Sequence, residues 1–158
     1  MSEILILKKL LEDSLNDVYA EERFILKFKM QDINGLEQAF GFRLGIHLSE
    51  RLKFTHYNTM DLDAEYNKNL GLSKMLEEFE NGIRPDLLLH QRGNHKHNFL
   101  AIELKGYWNK VINKDERKLI GLTSSAGDYN YLLGALILIG KTSAKINYYV
   151  DGKILRDE

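Results

Sequence analysis

The residues of this chain whose types and spacing could do chemistry lie in two short runs. These are Arg84-Pro85-Asp86 and, after a gap of sixteen residues, Glu103-Leu104-Lys105. Each run belongs to an apolar stretch suited to a strand, Arg84–His90 and Phe99–Lys105, and the polar segment Gln91–Asn98 between them reads as a hairpin loop. Side chains alternate along a strand, so Glu103 and Lys105 share one face while Leu100, Ile102 and Leu104 take the other. A turn centred between Asn94 and His95 pairs Leu88 with Ala101 and His90 with Phe99, and it sets Asp86 directly across from Glu103. A slip of one residue would break this matching of faces.

Two carboxylates directly opposite on one face have Cβ atoms about 4.5–5.5 Å apart, and like charges there are destabilising. A shared proton, a cation between them, or the Lys105 ammonium would offset the repulsion. A hard divalent ion is the most economical of the three. Mg²⁺ takes one or two carboxylates, keeps several waters and leaves room for a substrate phosphate. Lys105 would then point at the same water or phosphate and supply positive charge to a developing transition state. The competing reading is a solvated polar face, because an Asp at a strand start and a Glu-x-Lys pair are each common on surfaces. Pro85, the only proline, stands at a strand start, where a missing N–H is tolerated.

The elements that must position these residues follow from periodicity. Ile4, Leu7, Leu11, Leu15 and Val18 predict an amphipathic helix over Ser2–Tyr19 with Ser2 as N-cap. Leu36, Phe40, Leu44, Leu48 and Leu52 predict a second helix over Gly35–Leu52, capped by Asn34, with Glu37 in its first turn. The segment Arg23–Met30 has no clear period. Met60–Tyr66 alternates apolar and acidic residues and reads as a half-buried strand. Leu70–Asn81 reads as a short helix with Leu72, Met75, Leu76 and Phe79 inward, its Glu77, Glu78 and Glu80 forming a solvated face. Asn113–Ser125 predicts a helix, Tyr131–Ile139 a strand buried on both sides, and Lys145–Val150 an edge strand followed by an Asp151-Gly152 turn. The whole predicts a single α/β domain over residues 1–158, a mixed sheet with helices on its faces.

Pro85-Asp86, the sixteen-residue gap and Glu103-Leu104-Lys105 resemble the signature of the PD-(D/E)XK nuclease superfamily. The predicted order from Gly35 to Ile139 is similar to that family's αβββαβ core. The resemblance covers about residues 33–140 and leaves the N-terminal helix and C-terminal strand as additions. It implies a restriction-endonuclease-like fold and a metal-dependent nuclease that hydrolyses phosphodiester bonds of nucleic acid, DNA in preference to RNA. It further implies that Asp86 and Glu103 bind Mg²⁺, or Mn²⁺ as a substitute, with the Leu104 carbonyl beside them. Lys105 would orient the nucleophilic water or stabilise the transition state. Relatives often add an acid from the core helix, and Glu37 is the positional match. The helix dipole alone equally favours a glutamate there. Glu65, on the neighbouring strand, is the rival for that place. The alternative function is a non-catalytic module of the same fold that binds nucleic acid or a protein partner.

Lys105, Lys110, Lys114, Arg117 and Lys118 set five positive charges against Asp115 and Glu116, and this local basic run is where a phosphate backbone would lie. Within it, Asp115, Arg117 and Lys118 are candidates for substrate-side contacts, and Tyr107 and Trp108 either stack a base or cover the sheet end. His95 and His97 fall in the hairpin loop without a third ligand. Composition narrows the rest. A net charge of −1 excludes a generic polyanion binder, and the absence of cysteine excludes disulfides, thiolate zinc sites and thiol nucleophiles. Neither a P-loop nor a dinucleotide-binding glycine pattern occurs. With no long apolar segment and no signal-like start, the expected location is the cytoplasm, away from membranes. A chain this small would act as a homodimer or as a component of a larger complex.

Overall fold

Ser2 Oγ accepts the Leu5 amide at 3.4 Å and starts helix α1, Glu3–Glu21, whose Leu7, Leu11, Leu15 and Val18 are buried. The computed structural model describes residues 2–26 and 36–156. A 3-10 turn, Arg23–Leu26, follows α1, and the rest of the Arg23–Met30 segment and the expected Asn34 cap lie outside the described residues. Helix α2, Leu36–Leu52, buries the whole expected stripe of Leu36, Phe40, Leu44, Leu48 and Leu52. A stripe repeating every four residues fits one helical face, and here that face packs with α1 over a sheet.

Eight strands are described. They are β1 (Asp61–Ala64), β2 (Lys68–Asn69), β3 (Leu72–Ser73), β4 (Leu87–His90), β5 (Asn98–Gly106), β6 (Leu133–Ile139), β7 (Ala144–Val150) and β8 (Lys153–Ile154). Six of them form one mixed sheet in the order β1-β4-β5-β6-β7-β8, and β2 and β3 form a separate small ribbon. All neighbours in the large sheet are antiparallel except β5 and β6. A parallel pair needs a crossover, which helix α3, Asn113–Thr123, supplies. Odd and even positions of β4 separate the two cores. Leu87 and Leu89 face α1 and α2, whereas Leu88 joins Leu119 and Leu122 of α3. The general α/β class expected from the pattern is the one observed.

Three local expectations are corrected. Leu70–Asn81 is not a helix, because Leu70 and Gly71 both take positive φ, 51° and 93°, and turn the chain tightly between β2 and β3. Leu72 and Met75, expected inward, are exposed, and Lys74 is buried instead. Lys145–Val150 lies within β7, which is not the edge. Asp151 and Gly152, at φ 49° and 68°, fold β8 back onto it, so β8 is the edge strand. The expected strand Met60–Tyr66 stops at Ala64, where Glu65 leaves the β region at φ 49°. No helix among the described residues is long and apolar enough to cross a membrane.

Candidate functional site

The hairpin register decides which side chains meet. Leu87 pairs with Ile102, Leu88 with Ala101 and Leu89 with Leu100. These three pairs are the ones the sequence predicts; Asp86 lies just before the paired stretch, close enough to Glu103 for its charge to act on that carboxyl. At the other end a bulge shifts it, and His90 pairs with Asn98 rather than Phe99. Asp86 precedes β4 but is tied in at two points. Its Oδ2 accepts the Leu104 amide at 2.6 Å, and its carbonyl accepts the Glu65 amide at 3.2 Å.

Glu103 lies on the α3 side of β5 with only 2 % of its surface exposed. Its Oε2 accepts a hydrogen bond from Lys118 Nζ at 2.8 Å, while Oε1 is buried without a hydrogen-bond partner among the described residues. Asp115, in the first turn of α3, lies between two ammonium groups, 2.8 Å from Lys105 and 3.2 Å from Lys118. The result is a chain of alternating charge, Lys105–Asp115–Lys118–Glu103, that ends beside Asp86. Asp115 and Lys118 are three residues apart on α3, so one helical face carries both. Both were expected at a substrate-facing surface. Instead both turn into the acid cluster, Asp115 buried and Lys118 partly so, because that face of α3 is the one docked on β5. Arg117 points elsewhere, to Glu78 at 3.4 Å.

The electrostatics follow from this burial. Desolvation, and then the neighbouring Asp86 charge, hold the Glu103 carboxyl well above its ordinary range, against the pull of Lys118. Burial also pushes Asp86 up to about 6. The Leu104 amide and Lys118 oppose this rise, and Asp115 and Glu37 add to it. Burial works against the Lys105 ammonium, but the Asp115 carboxylate beside it outweighs that cost and raises the amine. Lys118 behaves alike, its burial outweighed by Glu103 and Asp115.

Glu37 reaches the same end of the motif strand from the opposite layer. Its Oε1 accepts the Gly106 amide at 2.7 Å, and its charge acts on both Asp86 and Lys105. Glu65, its rival, supplies a backbone amide to Asp86, while its side chain is exposed. Asp63, two residues earlier, pairs with Leu88 and therefore shares the face of Glu103. At the far end of β4 it binds the His90 ring at 2.9 Å and the Arg92 guanidinium. Two glycines fix the backbone around the site. A Cβ on Gly41 would lie 2.7 Å from Leu104 Cδ1, so α2 rests directly on the motif strand. A Cβ on Gly106 would collide with the Trp108 indole, which folds over it. Trp108 thus covers the sheet end.

Asp86, Glu103 and the peptide at Leu104 offer hard oxygen donors, and the bare Glu103 Oε1 is the kind of atom a hard cation satisfies. Among the described residues, no group of three or more His, Asp or Glu side chains is arranged to hold a metal ion. A set of two carboxylates completed by water suits Mg²⁺, which is commonly held by one or two protein carboxylates. His95 and His97 bind Asn69 and Gln91 in the loop and are remote from this set. In comparisons with known proteins, no family model matches the chain and no significantly similar curated protein is found.

Proposed function

We propose that the chain is a metal-dependent nuclease of the PD-(D/E)XK type, acting on the phosphodiester backbone of nucleic acid, DNA in preference to RNA. The observation that carries this reading is the pair Asp86 and Glu103. They lie at adjacent positions of the hairpin strands, and the charge of Asp86 acts on the Glu103 carboxyl. Both are pushed toward protonation, and Glu103 Oε1 has no hydrogen-bond partner among the described residues. Such an arrangement costs stability and brings a folding domain no return unless a cation or substrate compensates it. The order α2, β1, β4, β5, α3, β6 supports a restriction-endonuclease-like core, with β2–β3 inserted and α1, β7 and β8 added.

In this reading Asp86 and Glu103 hold Mg²⁺, or Mn²⁺ in its place, with the Leu104 carbonyl. The ion would lower the pKa of a bound water and offset charge on the phosphate. Lys105, fixed by Asp115, faces the attacking water or the developing negative charge. Glu37 positions the strand end through the Gly106 amide. Lys118 orients Glu103 and Asp115 through its two ion pairs.

A second reading has an observation of its own. The Lys105–Asp115–Lys118–Glu103 chain is already compensated in charge, as a non-catalytic binding module would require. One experiment separates the two. Plasmid, linear duplex, single-stranded DNA and RNA are incubated with Mg²⁺, Mn²⁺ or EDTA, using wild type, Asp86→Ala and Lys105→Ala. Metal-dependent cutting lost in both variants is the expected result. No cutting and no metal bound by calorimetry would overturn the nuclease reading in favour of the module.

A further inference from the structure

The basic run that follows the motif is divided by the fold. Lys118 is consumed by Glu103 and Asp115, Arg117 turns to Glu78, and Lys114 lies over the Phe79 ring. Lys105 and Lys110 stay together and line a cleft of about 450 Å³ at the end of the sheet. A third lysine joins them from a distant part of the chain. Lys105 pairs with Leu138, and Leu138 pairs with Lys145, so Lys105 and Lys145 stand on one face with a single strand between them. At a strand spacing of about 4.8 Å, their backbones are roughly 9.6 Å apart.

No carboxylate lines this cleft, and neither Lys110 nor Lys145 forms an ion pair with a described residue. Tyr107, which also lines the cleft, carries the Lys141 ammonium over its ring, 5.5 Å from the centroid. Three ammonium groups around one concavity, with only Lys105 neutralised by an acid, repel one another. An anion entering the cleft relieves that repulsion. Lysine suits phosphate as a point-charge partner whose flexible stem can follow a moving backbone. The cleft also adjoins the acid cluster, since Lys105, two residues beyond Glu103 on β5, pairs with Asp115.

Resting on the nuclease reading, we propose that this cleft binds the phosphate next to the one held at Asp86 and Glu103, with Lys110 and Lys145 as its contacts. Strand β7, outside the part of the chain that resembles the nuclease family, thereby becomes part of the substrate surface. Charge alone sets the contact, so it reads the backbone and not the base sequence.

The test is binding without cleavage. A short fluorescent DNA duplex is titrated in EDTA at about 50–200 mM NaCl against wild type, Lys110→Ala, Lys145→Ala, the double variant and Lys9→Ala on α1 as control. Circular dichroism verifies that the variants fold. Loss of two phosphate contacts should lower the slope of log K against log salt by about 1.8, which corresponds to roughly 60-fold weaker binding at 0.1 M salt. The control should match wild type. A parallel thermal-shift titration uses inorganic pyrophosphate on wild type and the double variant. DNA binding with an unchanged slope in the double variant overturns the cleft and leaves the nuclease reading intact. Pyrophosphate stabilisation that disappears in the double variant, with no DNA bound by wild type, upholds an anion cleft and removes the nucleic-acid reading. Neither ligand bound by wild type overturns the cleft, and the cleavage assay with Mg²⁺ then decides the nuclease reading.

Discussion

Asp86→Asn removes a charge that the fold holds at a cost, so it should stabilise the metal-free protein. The Asp86 carboxyl rises from 3.8 to about 6 on folding. At 1.36 kcal/mol per unit, that shift is about 3 kcal/mol at neutral pH. The sign follows from proton counting. Between the two values the folded chain binds the proton and the unfolded chain does not, so wild-type stability falls as pH rises from about 4 to 6 and then levels off. Below about pH 4 the group is neutral in both states and the cost vanishes. Asparagine keeps an oxygen for the Leu104 amide, so the bond observed at 2.6 Å can survive the change. Urea unfolding at pH 8 should show the variant more stable by about 3 kcal/mol, a gain of about 6–12 °C in Tm for a chain of this length. At pH 3.5 the two proteins should coincide. Mg²⁺ should then nearly close the gap at pH 8, stabilising wild type by about 2.7 kcal/mol at a hundred times its Kd and leaving the variant unmoved. Equal stability at pH 8, or a gap that persists unchanged at pH 3.5, would refute the claim that Asp86 is a strained, desolvated carboxylate.

Other consequences are open to measurement. Lys118→Met strips Glu103 of its ion-pair partner and should destabilise by about 3 kcal/mol, whereas Glu103→Gln combined with Lys118→Met should recover most of that loss. Additive losses in the double variant would count against a coupled pair. Gly106→Ala drives a methyl group into the space of the Trp108 indole, so the emission of this single tryptophan should shift to the red. An unchanged spectrum would show that the indole does not lie over Gly106. Lys74 is 3 % exposed, and burial lowers its amine to about 8. The folded state therefore resists its protonation, a penalty present at pH 7 and relieved as pH climbs from 8 toward 10.5. Lys74→Met should raise stability by about 1–3 kcal/mol at pH 7, after the lost contact with the Tyr129 ring at 4.4 Å is counted, and the advantage should disappear near pH 10.5.

What was legible in the sequence was what repeats or pairs. The stripes of α1 and α2 repeat, so their buried faces could be read directly. The hairpin register could be read because apolar residues had to match faces on both strands, and it holds from Leu87 to Leu89. Rotation of a helix about its axis leaves no comparable trace. Asp115 and Lys118 could be placed on a common face, but whether that face met solvent or β5 depended on the docking of α3. The supposed helix at Leu70–Asn81 failed because Leu70 takes positive φ, which a leucine rarely does, while the apolar spacing imitated a helix. By contrast, Asp151-Gly152 carried the ordinary signal of a two-residue hairpin, from which β8 could have been found. Glu65 lost its place to a single backbone angle, since the strand ends before its side chain can join the face of Glu103.

The bulge between Leu89 and His90 has a practical consequence for altering this molecule. Three regular pairs separate it from the acids, and their side chains lock alternately into the cores on either side of the sheet. On its other side lie the irregular turn and the exposed residues around Gly93 and Lys96. A bulge is a place where a strand already accommodates an extra residue, so a change of length in the loop is taken up there before it can slide Asp86 past Glu103. The tip of the hairpin is thus the natural graft point for an epitope, a fluorophore or a fused binding domain. The added part would sit one strand length from the carboxylates, tethered to the rigid hairpin that carries them.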